Sequence, residues 1–64
     1  MSFAKNLRII RLSEHLTQSE LAKKLNLSRT AISNYESGRM QPSLETLIKI
    51  SEIFDITIDD LLKK

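Results

Sequence analysis

Residues 17–38 read Thr17-Gln-Ser-Glu-Leu-Ala-Lys-Lys-Leu-Asn-Leu-Ser-Arg-Thr-Ala-Ile-Ser-Asn-Tyr-Glu-Ser-Gly38, and this stretch decides the fold. It holds two helix start signals. Thr17 and Glu20 have the spacing of a capping box, in which the Thr hydroxyl accepts from the backbone N–H of Glu20 and the carboxylate reaches back to the N–H of Thr17. Leu16 and Leu21 flank the box as a hydrophobic staple. Ser28 repeats the cap, with Leu27 and Ile32 as its staple. Asn26 tolerates the left-handed backbone that stops the first of these helices, and Gly38 suits the same conformation after the second. The stretch is therefore two short helices, 18–25 and 29–37, joined by a three-residue turn.

The same punctuation continues outward in both directions. Ser43, after Pro42, caps a helix with Leu47 in the N4 place. Thr57 caps another, with Ile56 and Leu61 as the staple and Asp59 and Asp60 in the first turn, where the helix dipole favours anions. Ser2 is placed to cap a first helix, and His15 and Asp55 stand where left-handed stop residues are needed. Five helices follow, over roughly 3–14, 18–25, 29–37, 44–54 and 58–63. No strand alternation, internal repeat or low-complexity segment interrupts them.

Helical periodicity sorts the apolar residues into a core. Phe3, Leu7 and Ile10 share a face of the first helix; Leu21, Ala22 and Leu25 of the second; Ala31, Ile32 and Tyr35 of the third. On the fourth, Leu44, Leu47, Ser51 and Phe54 share a face, with Ile50 at its edge. Ile56, Ile58 and Leu61 close the end. Ala22 and Ala31 fall where the second and third helices cross, and small side chains let them approach. Ile9, Leu12 and Ile53 lie off these faces.

Composition removes several classes of function. Sixty-four residues make one domain, 1–64, with a small core. Without cysteine there is no disulfide or thiolate metal site, and a single histidine, His15, makes no metal cluster. Hydrophobic residues are 41%, too many for a disordered chain. No apolar run approaches the ~18 residues of a membrane span, and no signal-peptide pattern opens the chain. No activated nucleophile, glycine-rich phosphate loop or metal spacing is present, so we expect neither an enzyme nor a cofactor. Net charge is only +2, yet it is unevenly placed. Residues 1–40 carry seven basic and three acidic side chains, whereas 41–64 carry three and five. The first end is suited to a polyanion and the second is not.

The second helix of the opening stretch carries Arg29, Thr30, Ser33 and Asn34. Arg29 and Ser33, like Thr30 and Asn34, are four apart, so all share an outward face. An Arg can grip guanine O6 and N7, an Asn adenine N6 and N7, and a Thr methyl can touch the thymine methyl. Two helices at a sharp angle, with the second polar on its outer face, are the parts of a device that lays a helix in the major groove of double-stranded DNA.

The whole set of motifs resembles the lambda-repressor-like (Xre-type) helix-turn-helix family of phage and bacterial repressors. The resemblance spans nearly the whole chain. It rests on Leu7-x-x-Ile10-Arg11, Leu16-Thr17-Gln18-x-x-Leu21-Ala22, Ser28-x-x-x-Ile32-x-x-Tyr35-Glu36-x-Gly38, Pro42-Ser43, Leu47-x-x-Ile50, Phe54-Asp55-Ile56 and Leu61-Leu62. His15 and Asn26 stand where glycine is common in the family. The resemblance implies an all-α, compact five-helix fold with its helix-turn-helix at 17–38.

It further implies the division of roles. Arg29, Thr30, Ser33 and Asn34 would read bases. Thr17, Gln18, Ser28, Ser37 and Arg39 would hold phosphates, Gln18 beside the free N–H groups of a helix start. Arg11 and Glu36 would form an ion pair tying the first helix to the third. Tyr35 would be a packing residue. The expected function is a sequence-specific transcriptional regulator, a repressor that binds a pseudo-palindromic operator as a homodimer. The subunit contact would lie around Ile53, Asp55, Ile58 and Leu62. Such a protein would work in the cytoplasm at the nucleoid, with no metal, membrane or small-molecule substrate. An alternative remains open: the same fold serves antitoxins and adaptors whose main partner is another protein. Whether the chain is a complete short repressor or the DNA-binding head of a longer one is also open.

Overall fold

The computed structural model describes residues 3–64. The helices are α1 (Phe3–Ser13), α2 (Gln18–Leu25), α3 (Arg29–Ser37), α4 (Leu44–Phe54) and α5 (Ile58–Leu62). Ser2, the expected cap of α1, lies outside the described residues. Each later helix begins on the side chain the sequence nominates. Thr17, Ser28, Ser43 and Thr57 accept from the backbone N–H of Glu20, Ala31, Thr46 and Asp60 at 3.0–3.1 Å. At Thr17 the box is complete, the N–H of Thr17 donating to Glu20 Oε1 at 2.8 Å. The Thr57 hydroxyl, with help from Lys63, also holds the Asp60 carboxyl below the usual carboxylate range.

The first four helices stop by one repeated device. His15, Asn26, Gly38 and Asp55 are all left-handed, with φ of 58°, 59°, 82° and 54°. In each case the next N–H donates back to the carbonyl five residues earlier: Leu16 to Arg11, Leu27 to Ala22, Arg39 to Asn34 and Ile56 to Ser51. This is the closing bond of a Schellman motif. Three connections are thus the same tripeptide in physical terms: a left-handed residue, an apolar residue and a capping hydroxyl. They are His15-Leu16-Thr17, Asn26-Leu27-Ser28 and Asp55-Ile56-Thr57. The middle residue closes one helix and staples the next, which fixes a sharp turn with no spare chain. Arg39 replaces the apolar residue after Gly38, and there the connection lengthens to reach Ser43.

Phe3, Leu7, Leu21, Ala22, Leu25, Ile32, Tyr35, Leu47, Ile50 and Leu61 form the buried core. The rings of Phe3 and Tyr35 meet edge to face, 5.9 Å apart at 82°, so Tyr35 packs inward. α2 packs on α3 and α4, α1 on α3 and α5, and α4 on α5. Four details differ from the sequence reading. α1 and α5 end one residue early, at Ser13 and Leu62, where His15 turns left-handed beyond the first and Lys63 is already extended after the second. Ile10 and Ala31 are only partly buried, while Arg11 is buried. On α4 the inward face is centred on Leu47 and Ile50, with Leu44 66% exposed. Ser51 turns its hydroxyl to the carbonyl of Ile56, 2.5 Å away, and braces the turn into α5.

Candidate nucleic-acid interface

The tight connection at Asn26-Leu27-Ser28 presses α2 against α3 through buried Leu21, Ala22, Leu25 and Ile32. That burial faces one side of α3 inward and leaves the other outward. Arg29 and Thr30 are exposed, and Ser33 and Asn34 are half-buried along the same flank. Ser37 and Arg39, exposed at its far end, extend the polar strip. The Asn34 amide lies 3.8 Å from the Met40 sulfur, a weak contact, and Ser37 donates to the carbonyl of Asn34 at 3.2 Å.

Beside this strip a polar network joins three helices. Arg11 Nε donates to Glu36 Oε2 at 2.6 Å, and a terminal Arg11 nitrogen donates to Oε1 at 3.0 Å. The other terminal nitrogen donates to the carbonyl of Leu16 at 2.7 Å. These side chains are 10% and 5% exposed, so the pair is inside the protein rather than on its surface. The hydrogen bond to Glu36 holds the Arg11 guanidinium above its ordinary pKa, against the opposing effect of burial. Gln18, first residue of α2, donates through Nε2 to Glu36 Oε1 at 3.1 Å. Its Oε1 accepts from Arg29 at 3.1 Å.

Above the network is a shallow depression of about 350 Å³ lined by Arg8, Arg11, Gln18, Ser33, Glu36 and Ser37. The structure therefore brings Gln18, Arg29, Ser33 and Ser37 to one continuous surface with the Arg11–Glu36 pair beneath it. Thr17 and Ser28 sit at the N-termini of α2 and α3, where each hydroxyl oxygen accepts one backbone N–H and keeps its own proton to donate. Ile53, Asp55, Ile58 and Leu62 belong to a separate region, on α4, the turn after it and α5. Ile53 and Leu62 are 38% and 44% exposed, Asp55 is exposed, and Ile58 packs partly against the core. Sequence reasoning missed Arg8 and Met40 as neighbours of the strip. It also missed both bonds of the Gln18 amide, which no local spacing signals. Among the described residues no group of His, Asp and Glu could hold a metal ion, and no helix is long and apolar enough to cross a membrane.

Residues 7–61 match the helix-turn-helix family model HTH_3. The HTH-type transcriptional activator BcrR of Enterococcus faecalis is 48% identical over 62 residues, covering 97% of this chain and 30% of BcrR. The HTH-type transcriptional regulator ImmR of Bacillus subtilis is 39% identical over 64 residues, covering 100% of this chain and 50% of ImmR. The P22 c2 repressor, solved in complex with a synthetic operator, superimposes with a TM-score of 0.90 at 28% identity. That match covers 98% of this chain and 96% of the repressor chain. The chain spans about a third of the length of BcrR and about half that of ImmR.

Proposed function

The chain belongs to the lambda-repressor-like (Xre-type) helix-turn-helix family of DNA-binding transcription regulators, and from that premise we propose that it represses transcription by binding a pseudo-palindromic operator as a homodimer. One observation carries the reading. The outward flank of α3 from Arg29 to Asn34 is polar and accessible, while its opposite flank is locked into the core by Ile32 and Tyr35. A helix so held presents side chains to base edges without having to rearrange its backbone.

In this reading the 64-residue chain is one DNA-binding unit with its helix-turn-helix at 17–38. Arg29, Thr30, Ser33 and Asn34 contact bases. Thr17, Gln18, Ser28, Ser37 and Arg39 contact phosphates and set the register. The Arg11–Glu36 pair keeps α1 and α3 in fixed relation. Two copies paired through Ile53, Asp55, Ile58 and Leu62 would set their α3 helices about one DNA turn (~34 Å) apart. A single module this small buries little surface, and pairing lets two half-sites combine their energies. No cofactor, metal or reaction is part of this function, and its setting is the cytoplasm.

The test is selection of bound DNA from a random library, repeated over a range of salt. A symmetric pair of half-sites about one turn apart is the expected result, with log affinity falling linearly against log salt. A bound set with no common sequence sinks the reading. Transcription from a promoter overlapping the selected site then separates repression from the activation that the name of BcrR describes.

A further inference from the structure

Met40 stands beside the polar strip without a part in the reading above. We propose that it is a site of reversible oxidation: a peroxide converts its thioether to the sulfoxide, and the new oxygen holds the Asn34 amide and withdraws it from its base pair. The proposal rests on the reading of Asn34 as a base contact.

Backbone bonds fix the two residues against each other. The carbonyl of Asn34 accepts from the N–H of Arg39 at 2.9 Å, from the N–H of Met40 at 3.2 Å and from the Ser37 hydroxyl at 3.2 Å. Met40 is thus pinned where the chain leaves α3, and its sulfur stands 3.8 Å from Asn34 Nδ2. A thioether is a weak acceptor, so in the reduced protein the amide leaves it for a base edge at little cost. The sulfur is also open to attack, since Met40 is 40% exposed. The chain has no cysteine to compete for an oxidant, and its other methionine, Met1, lies outside the described residues.

The chemistry is a two-electron oxygen transfer. A sulfur lone pair attacks one oxygen of hydrogen peroxide, the S–O bond forms and the O–O bond breaks. The proton of the transferred hydroxyl passes to the departing hydroxide, which leaves as water. The sulfur is oxidised to a sulfoxide and the peroxide is reduced; methionine sulfoxide reductases reverse the change. The sulfoxide oxygen lies one bond beyond the sulfur, which brings a strong acceptor within reach of the Asn34 amide. The donor that adenine N7 requires is then satisfied inside the protein. Oxidation therefore acts on one base-reading residue and leaves the phosphate contacts in place.

Protein treated with hydrogen peroxide is compared with untreated protein, with the Met40 sulfoxide confirmed by mass spectrometry. Affinities are measured on the selected operator, on its single-base-pair variants and on a scrambled duplex. Asn34→Ala is expected to flatten one position in each half-site, by roughly 5- to 100-fold. The oxidised protein should lose about fivefold in preference at that same position, with scrambled DNA bound as before. Treatment with both sulfoxide reductases, one for each epimer, should restore it. Met40→Leu should keep its preference after peroxide, and Met40→Gln, with an amide oxygen near the place of the sulfoxide's, should lose preference without any oxidant. Wild-type preference in protein carrying the Met40 sulfoxide overturns the proposal and leaves the Asn34 assignment standing. So does an equal loss in peroxide-treated Met40→Leu, which retains Met1. If Asn34→Ala flattens no position, the assignment itself fails and the proposal with it. A measurement without DNA guards against folding defects: the side-chain amide signals of Asn34 in a ¹⁵N–¹H spectrum should shift on oxidation while those of the core stay in place. Unmoved Asn34 signals overturn the hold.

Discussion

Arg11 on α1 and Glu36 on α3 meet through two hydrogen bonds, of 2.6 and 3.0 Å, with both side chains at least nine-tenths buried. A pair at that depth orients its helices more than it stabilises them, because each charge has lost its water. Removing one partner is another matter. Glu36→Ala strands a buried guanidinium and should cost about 3 kcal/mol, whereas Arg11→Met combined with Glu36→Leu should recover most of that loss. Urea denaturation of the single and double variants checks both outcomes. Equal destabilisation in the two would show that the lost packing, and not the stranded charge, is what matters.

Asn6 supplies a second link that no helix-start rule foresees. Its Nδ2 lies 2.9 Å from the carbonyl of Leu61 and 2.7 Å from that of Lys63. α5 has only five residues, and its C-terminal carbonyls have no further turn whose N–H groups would donate to them. Asn6 closes that end from across the chain. Replacing it with Leu should lower global stability by about 1–2 kcal/mol and raise amide exchange in α5 more than in α2 or α3. Uniform exchange changes across all helices would argue against a cap at this site.

What the sequence could show follows from the range of each interaction. Caps and stops act over three to five residues, so Thr17, Ser28, Ser43 and Thr57 were readable, as were the left-handed stops at His15, Asn26, Gly38 and Asp55. The centre of the α4 face was not. Leu44, Leu47, Ile48, Ile50, Ile53 and Phe54 surround much of that helix, and only its packing on α2 and α5 selects Leu47 and Ile50 over Leu44. On the candidate site, the outward residues of α3 came from helical spacing alone, and Arg11 with Glu36 came from a family likeness. The Gln18 amide bridges residues 11 and 18 positions away on another helix, and its orientation exists only once Glu36 and Arg29 are both in place.

His15 offers a test of backbone strain. Its φ is 58°, a region that costs a residue with a Cβ about 1 kcal/mol or more, while glycine enters freely. The side chain is exposed and lies after α1. His15→Gly should therefore stabilise the fold by about 0.5–1 kcal/mol once glycine's larger unfolded-state entropy is subtracted. Asn26→Gly should gain less, since asparagine tolerates this conformation better than histidine. Thermal melts of the two variants rank them. A drop in midpoint for His15→Gly would mean that the imidazole makes a contact worth more than the strain it tolerates.

Asn34 and Arg39 separate the two kinds of DNA contact on one short stretch. Asn34 faces outward from α3, and its amide is tied only to the Met40 sulfur at 3.8 Å, a bond that a base edge readily replaces. Arg39 follows the Gly38 stop, exposed, on backbone whose direction is fixed by the Arg39 N–H bond to the carbonyl of Asn34 at 2.9 Å. If the first reads a base and the second a phosphate, their deletions differ in kind. Asn34→Ala should relax preference at one position by about 1–3 kcal/mol and leave the salt dependence unchanged. Arg39→Gln should weaken selected and scrambled duplexes by the same factor and reduce the salt slope by about 1. Competition binding across a salt series reads both quantities at once. Equal losses on both duplexes for both variants would remove the distinction, because a side chain that touches base edges must feel which base is there.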